Sequence, residues 1–493
     1  MPQPAGDERS ANRLALQIER AICRGESNLV MLEQAKLRAR EDLDAAVALS
    51  LGRAAEDEQD FAEARRLFER AVNADEAEIR ARAEAHLAYL DYYAGRCEPG
   101  LARARAAARS VHGLAAGEAH LYASVNAVAL NRALDALEEA HTARNFAERV
   151  RDRELRHDLR FRIARQLVHV LVEYGDYSAA AAEAETASAI ARATGSARHL
   201  GLAAYLRGHV CAARGDPVAL TFFREADRHW GGSSRSFGRW LQYVWAVTLR
   251  NLGNISGAQN LRLASGIKVP WEEPLFDLAE GSPATPPDAV NCPSEDVPFR
   301  QAARGIVFYA QGRLEDAARE LRPAIREFER CDFHHERRGA SLALAATLLA
   351  AGDLPAAEAI VRDEVRSLVR HEIRTWPWWY RPAAIRVARF AVTIGVAPGY
   401  WRQMLQSADQ AESDLADVLR ARDLTERQIE VVRSWLAEPQ LSRVELGDKL
   451  GVSEASVRAH LNVARRKLGC DGRRGAEALR DRIAALAGTY RVN

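Results

Sequence analysis

Cysteine is scarce in this 493-residue chain. The six present (Cys23, Cys97, Cys211, Cys292, Cys331 and Cys470) are scattered, with no CxxC pair or short framework spacing. They read as reduced thiols of a cytosolic protein, not as a disulfide scaffold. Aromatics are few, 7% of residues, and no Val/Ile/Thr run alternates with period two, which argues against sheets. No stretch of eighteen apolar residues occurs. Met1 to Arg20 carries acidic and polar residues where a signal peptide would carry its apolar segment, so neither secretion nor membrane spanning is expected and a cytoplasmic location is. A net charge of only +1 excludes a polycation held to nucleic acid by bulk attraction. What the chain has in quantity is Ala, Leu, Arg and Glu, all good helix formers. At this length one compact core is not enough, and two or more all-helical units are expected.

The charge is unevenly placed. Residues 421–493 carry 14 Lys/Arg against 10 Asp/Glu, leaving the preceding 420 residues net negative. In that larger part a pattern recurs: glycine, a polar or short residue, an apolar residue, two free positions, and a small or apolar one. It appears at Gly175-Asp176-Tyr177 with Ala180, Gly215-Asp216-Pro217 with Leu220, Gly253-Asn254-Ile255 with Ala258, Gly312-Arg313-Leu314 with Ala317, and Gly352-Asp353-Leu354 with Ala357, at spacings of 40, 38, 59 and 40 residues. The pattern predicts helical hairpins. Glycine ends one helix in a left-handed conformation, Asp or Asn caps the next, and the small residue lets the two helices approach. Gly208 and Gly305 lie seven positions before their turn glycines, where a partner helix would cross. An earlier unit fits the frame with Leu51-Gly52 in its first helix and Ala64, Phe68 and Ala71 in its second.

These residues resemble the tetratricopeptide repeat over about residues 40–370, with a period nearer 40 than that family's 34; longer helices, as in the sensor solenoids of MalT-like regulators, accommodate the excess. The unit around Leu87, Tyr93 and Gly95 matches weakly, and residues 119–150 do not keep register. The 59-residue gap holds an insertion: seven of the 17 prolines lie between Pro270 and Pro298, which predicts a loop or an ordered excursion serving as a spacer in preference to a binding lid.

The C-terminal segment carries a different signal. Leu424-Thr425 with Gln428 forms a capping box, and Ile429, Val432 and Leu436 mark one apolar face. Pro439 interrupts that helix, a second runs from Ser442 through Val444, Leu446 and Leu450, and Gly451-Val452-Ser453 supplies a turn. A third helix, Glu454 to Leu468, places Val457, Leu461, Ala464 and Leu468 on one side and Arg458, Ala459, Asn462, Arg465 and Arg466 on the other. That division suits a helix lying in the DNA major groove.

Leu424, Thr425, Arg427, Glu430 and Val431, then Ser442 and Glu445, then Ser453, Ser456, Val457, Arg458, His460, Lys467, Leu468, Gly469 and Cys470 together resemble the LuxR-type helix-turn-helix. The chain departs from that pattern at Gln428, at Pro439-Gln440 and at Leu446-Gly447. The run Ala464 to Leu468 is also similar to the last region of bacterial sigma factors, but no promoter-reading partner region precedes it. The resemblance implies that Arg458, Ala459 and Asn462 read bases, and that Ser442, Arg443, Ser456, His460, Arg465 and Arg466 face phosphates. It also implies a homodimer, for which Leu479, Ile483 and Leu486 offer a stripe that equally suits the domain's own core.

Other clusters are weaker. Cys331-Asp332-Phe333-His334-His335-Glu336 has metal-ligand types, but adjacent histidines on a helix diverge and no second cluster accompanies them, so no metal is expected. Trp376, Trp378, Trp379 and Tyr380 can stack a ligand or anchor a partner, or else plug the last repeat, the reading preferred here. No Gly-x-x-x-x-Gly-Lys-Ser/Thr motif occurs, so the ATPase module of MalT-like regulators is not expected, and neither catalytic residues nor a cofactor can be assigned.

The expected architecture is all-α: an N-terminal cap (1–40), a tetratricopeptide-like α-solenoid of helical hairpins (41–400) with the Pro-rich insertion at about 265–298, a linker helix (401–420) and a small helix-turn-helix domain (421–493). The expected partners are double-stranded DNA, RNA polymerase, and an unidentified peptide, protein or small-molecule effector at the repeats, with no membrane. The alternative is an adaptor that acts on polymerase or a sigma factor without reading DNA.

Overall fold

The computed structural model describes residues 5–34, 43–230, 235–405, 419, 424–437, 441–468 and 479. Among them every regular element is helical and no strand occurs. Two compact units divide the chain. One comprises Met1–Leu241, Cys292–Pro298 and Ile325–Arg338, the other Gln242–Asn291, Phe299–Ala324 and Gly339–Asn493. Helical hairpins of the stretch 41–400 contribute to both units.

In the first unit, α1 (Ala5–Cys23) and α2 (Ser27–Glu33) precede five hairpins: α3 (Ala45–Asp57) with α4 (Phe61–Ala71), α5 (Ala77–Tyr93) with α6 (Cys97–Ala108), α7 (Gly113–Ala129) with α8 (Ala133–Ala147), α9 (Arg153–Tyr174) with α10 (Tyr177–Thr194), and α11 (Ala197–Ala213) with α12 (Ala219–Trp230). The first helix of each hairpin also packs on the first helix of the next, and α1 packs on both α3 and α9. This is the tetratricopeptide-like stacking that the glycine pattern predicts.

The turns form as the local chemistry requires. Gly175 and Gly215 adopt φ of +84° and +69°, a region costly for residues with a Cβ. Asp176 caps α10 by accepting the Ala179 N–H at 3.0 Å. A Cβ on Gly208 would lie 2.6 Å from the Phe223 ring, and one on Gly52 would lie 2.6 Å from the Phe68 ring, so both glycines mark helix crossings. The stretch 119–150, expected to lose register, forms a regular hairpin. Its turn is made by Asn131 at φ +57° instead of glycine, which asparagine tolerates better than most residues.

The second unit contains α14 (Ile255–Ser265), α15 (Glu273–Glu280), α19 (Leu354–Arg370), α20 (Arg381–Thr393) and the parts of α13 (Arg235–Asn251), α16 (Val297–Ala310), α17 (Leu314–Arg330) and α18 (His334–Ala351) within its segments. Gly253, Gly312 and Gly352 are all left-handed at their turns, and Asn254 and Asp353 cap the helices that follow. The proline-rich stretch is an ordered excursion. Pro274 sits in the first turn of α15, where no amide donor is needed. Phe276 is buried beneath Arg250 and Arg262, whose guanidiniums lie 4.7 and 4.9 Å from its ring centre. Carbonyls in this stretch accept bonds from Gln311 and Arg304. Among the described residues no helix is long and apolar enough to cross a membrane.

Gly208→Val should destabilise the chain by about 1–3 kcal/mol in denaturant unfolding, because the Phe223 ring must shift. Gly238→Ala, in a helix with open space around the added methyl, should instead stabilise by up to about 1 kcal/mol.

Candidate functional site

The C-terminal segment folds as three short helices: α21 (Glu426–Ala437), α22 (Arg443–Leu450) and α23 (Glu454–Lys467). Thr425 and Gln428 exchange the two bonds of a capping box at 3.3 and 3.1 Å. Ser442 and Glu445 do the same at the start of α22. Gly451 at φ +64° ends α22, its N–H and that of Val452 reaching the Asp448 and Gly447 carbonyls. Ser453 then caps α23 by accepting the Ser456 N–H at 3.2 Å. A Cβ on Gly447 would lie 2.6 Å from the Val452 carbonyl oxygen. The turn is therefore closer than an alanine would allow. Arg427 ties α21 to α22 through the Leu450 carbonyl at 2.7 Å, and Lys467 ties α23 to Gln428 at 3.2 Å.

Val457, Leu461, Ala464 and Leu468 are buried with Leu424, Ile429, Val431, Val432 and Leu446 in one core. The opposite side of α23 is open: Arg458, Ala459, Asn462 and Arg466 are exposed, and Ser456, His460 and Arg465 are half-buried. Ser442 and Arg443 are exposed at the start of α22. Leu479 is buried in that core, the alternative open to it in the sequence. Ile483 and Leu486 lie outside the described residues, as do most of the expected linker helix and Pro439-Gln440.

The aromatic run is packed into the second unit. Trp376 and Trp378 are buried, and Trp379 and Tyr380 are half-buried. Trp376 meets Trp379 edge-on at 4.6 Å and Trp401 at 6.4 Å. Trp378 adopts φ +61°, and a Cβ on Gly339 of α18 would run into the Pro377 carbonyl oxygen.

The His-rich cluster disperses in the first unit. The His335 ring nitrogen lies 2.7 Å from the Tyr177 hydroxyl, Cys331, just past the end of α17, bonds Glu327 of that helix, and Glu336 lies buried against Glu173. Burial pushes both of these carboxyls up. Among the described residues no group of three His, Cys, Asp or Glu could hold a metal.

A buried polar core in the first unit has no counterpart in the sequence reading. Glu118 of α7, fully buried, accepts from Arg82 and Arg162 at 2.7 Å each. Arg162 also pairs with Asp158 at 3.0 Å and donates to the Tyr122 hydroxyl at 3.0 Å. Arg53 pairs with Glu19 and with Asp158, the latter at 3.1 Å. His86 and Glu56 lie 2.7 Å apart. Burial alone would push Glu118 and Asp158 up, but the surrounding arginines, with His86 at Glu118 and His199 at Asp158, outweigh it and hold both well below the usual carboxylate range. The signal available was α9: Asp158, Arg162, Arg165, His169 and Glu173 make a polar stripe on a helix whose remaining positions from Phe161 to Val172 are mostly buried and apolar.

No family model and no curated protein matches the sequence. Among solved structures, the chain is similar to a signal transduction ATPase with numerous domains (STAND) protein with a tetratricopeptide repeat sensor from Pyrococcus horikoshii, at 14% identity and TM-score 0.31 over 80% of this chain and 49% of that one. The chain thus spans about half the length of that protein. It is also similar to a Rap protein complexed with Competence and Sporulation Factor, at 10% identity and TM-score 0.29 over 82% of this chain and 96% of that one.

Glu118→Gln should cost about 3–5 kcal/mol in urea unfolding, because it leaves buried guanidiniums uncompensated. In both Glu118 and Asp158 the folded-state carboxyl titrates below the unfolded one, so their contribution is complete above about pH 4–4.5 and is lost as pH falls. The melting temperature should therefore drop steeply below about pH 4, and less steeply in Glu118→Gln.

Proposed function

We propose that the chain is a cytoplasmic DNA-binding transcription regulator whose helical repeats sense an effector and control the C-terminal helix-turn-helix. The observation that carries this reading is the two-sidedness of α23. Val457, Leu461 and Ala464 are buried, while Arg458, Ala459 and Asn462 stand exposed on the far side. An arginine can bond guanine N7 and O6 together, an asparagine can bond adenine bidentately, and alanine adds no bulk between helix and bases. Ser442, Arg443, Ser456, His460, Arg465 and Arg466 supply hydroxyl and cationic donors suited to phosphate oxygens. Binding as a homodimer would place two such helices about one helical turn of DNA apart. Contact with RNA polymerase follows from the regulatory role. This reading assigns no catalytic step and no cofactor to the chain.

Selection from a random duplex library, followed by mobility-shift titration, tests it. The selected duplex should bind with an affinity that falls steeply with salt. Arg458→Ala should cost about 1–3 kcal/mol, concentrated at one base pair. Failure to enrich any sequence would overturn the reading. Polymerase capture that survives Arg458→Ala combined with Arg465→Ala would favour the adaptor instead.

A further inference from the structure

The polar core of the first unit borders a cavity of about 70 Å³, lined by Tyr89, Tyr93, Tyr122, Arg162, Arg165 and Arg198 among others. Its guanidiniums are not equivalent. Arg53 pairs with Glu19 and Asp158, Arg162 with Glu118 and Asp158, and Arg198 with Asp57. Among the described residues Arg165 alone of the four has no carboxylate partner. It is half-buried on the same stripe of α9, and it lines the cavity together with Tyr89, Tyr93 and Tyr122.

The phenols are arranged as a wall. The Tyr89 ring stacks on Tyr122 at 4.7 Å and the Tyr93 ring on Phe61 at 4.4 Å. The Tyr89 and Tyr93 hydroxyls are 3.0 Å apart. Tyr93 remains 48% exposed and the adjoining Tyr92 37% exposed, so the wall continues from the cavity to solvent.

We propose that this cavity binds a ligand carrying one carboxylate on an apolar body, with the carboxylate on Arg165 and the body against the rings of Tyr89 and Tyr93. The charge count selects a monoanion. One guanidinium is uncompensated, whereas a phosphate dianion would bring a second negative charge toward Glu56, Asp57 and Asp158, which also line the cavity. The planar guanidinium matches a carboxylate in a two-bond fork. The volume admits only a few non-hydrogen atoms, so the acid end enters and the body rests on the exposed tyrosines. A free organic acid and the C-terminus of a peptide present the same chemistry. The regulatory role of this site rests on the sensor reading above; its binding chemistry does not.

The test is thermal unfolding and calorimetric titration of the full chain with benzoate, 4-phenylbutyrate and octanoate. Each is compared with its primary amide, and mixed tetrapeptides with free C-termini are compared with amidated ones. Acids should stabilise where their amides do not, and the peptide arm identifies which source is accepted. Arg165→Met should weaken binding about tenfold or more, Arg165→Lys should restore part of it, and Tyr93→Leu should weaken it less, each variant melting with the parent when unliganded. Equal action of acids and amides, no stabilisation by any probe, or full affinity in Arg165→Met would overturn the proposal. A mobility shift on the same proteins separates the two readings. Acid binding with no effect on DNA binding leaves this site standing and removes its sensor role, and DNA binding with no acid effect at any probe removes the site alone.

Discussion

Glu118 has no contact with water, and everything around it follows from the need to keep its charge satisfied. Its two oxygens are taken by arginines from two other helices, and one of those arginines reaches on to Asp158, which is shared in turn with Arg53 and thereby with Glu19 of α1. A buried ion pair adds little net stability over a hydrophobic substitute, but a broken one is expensive. The network therefore acts less as glue than as a specification, because only one relative placement of α1, α3, α5, α7 and α9 satisfies Glu19, Glu118, Asp158, Arg53, Arg82 and Arg162 together. Helices that would slide along purely alanine-lined contacts are held in register by it. The same requirement creates the cavity: side chains chosen to neutralise one another do not close-pack as leucines would.

The hairpin turns and the buried ion network were unequally legible in the sequence. Hairpin turns were readable because glycine and its cap residue act locally; Gly175 with Asp176 and Gly352 with Asp353 behave as their spacing implied. The three C-terminal helices were readable for the same reason, with Thr425–Gln428 and Ser442–Glu445 announcing helix starts within four residues. Asn131 concealed a turn because it takes up a left-handed backbone without the residue that usually signals one. The ion network was invisible for a different reason. Arg53 and Asp158 are 105 positions apart, and a charged residue on a helix looks solvated until the fold shows what lies opposite. Only the apolar surroundings of the α9 stripe distinguished it.

Conformational specification takes different forms in the chain. In the first unit it is electrostatic. In the miniature domain around α23 it is steric and local, with Gly447 admitting the Val452 carbonyl and Ser453 holding the first turn of the exposed helix. The outward side chains of α23 consequently project from a backbone fixed at its N-terminal end by a cap and at its C-terminal end by Lys467 on Gln428.

The approach of α18 to the aromatic run is main chain against main chain, at Gly339 and Pro377. The Trp378 indole closes the same gap, lying 2.9 Å from where a Cβ on residue 339 would stand. A single methyl at residue 339 would lever the run away from the helix and take the left-handed Trp378 with it. Drift across this part of the sequence would be expected to leave residue 339 unchanged long after its bulkier neighbours had been exchanged.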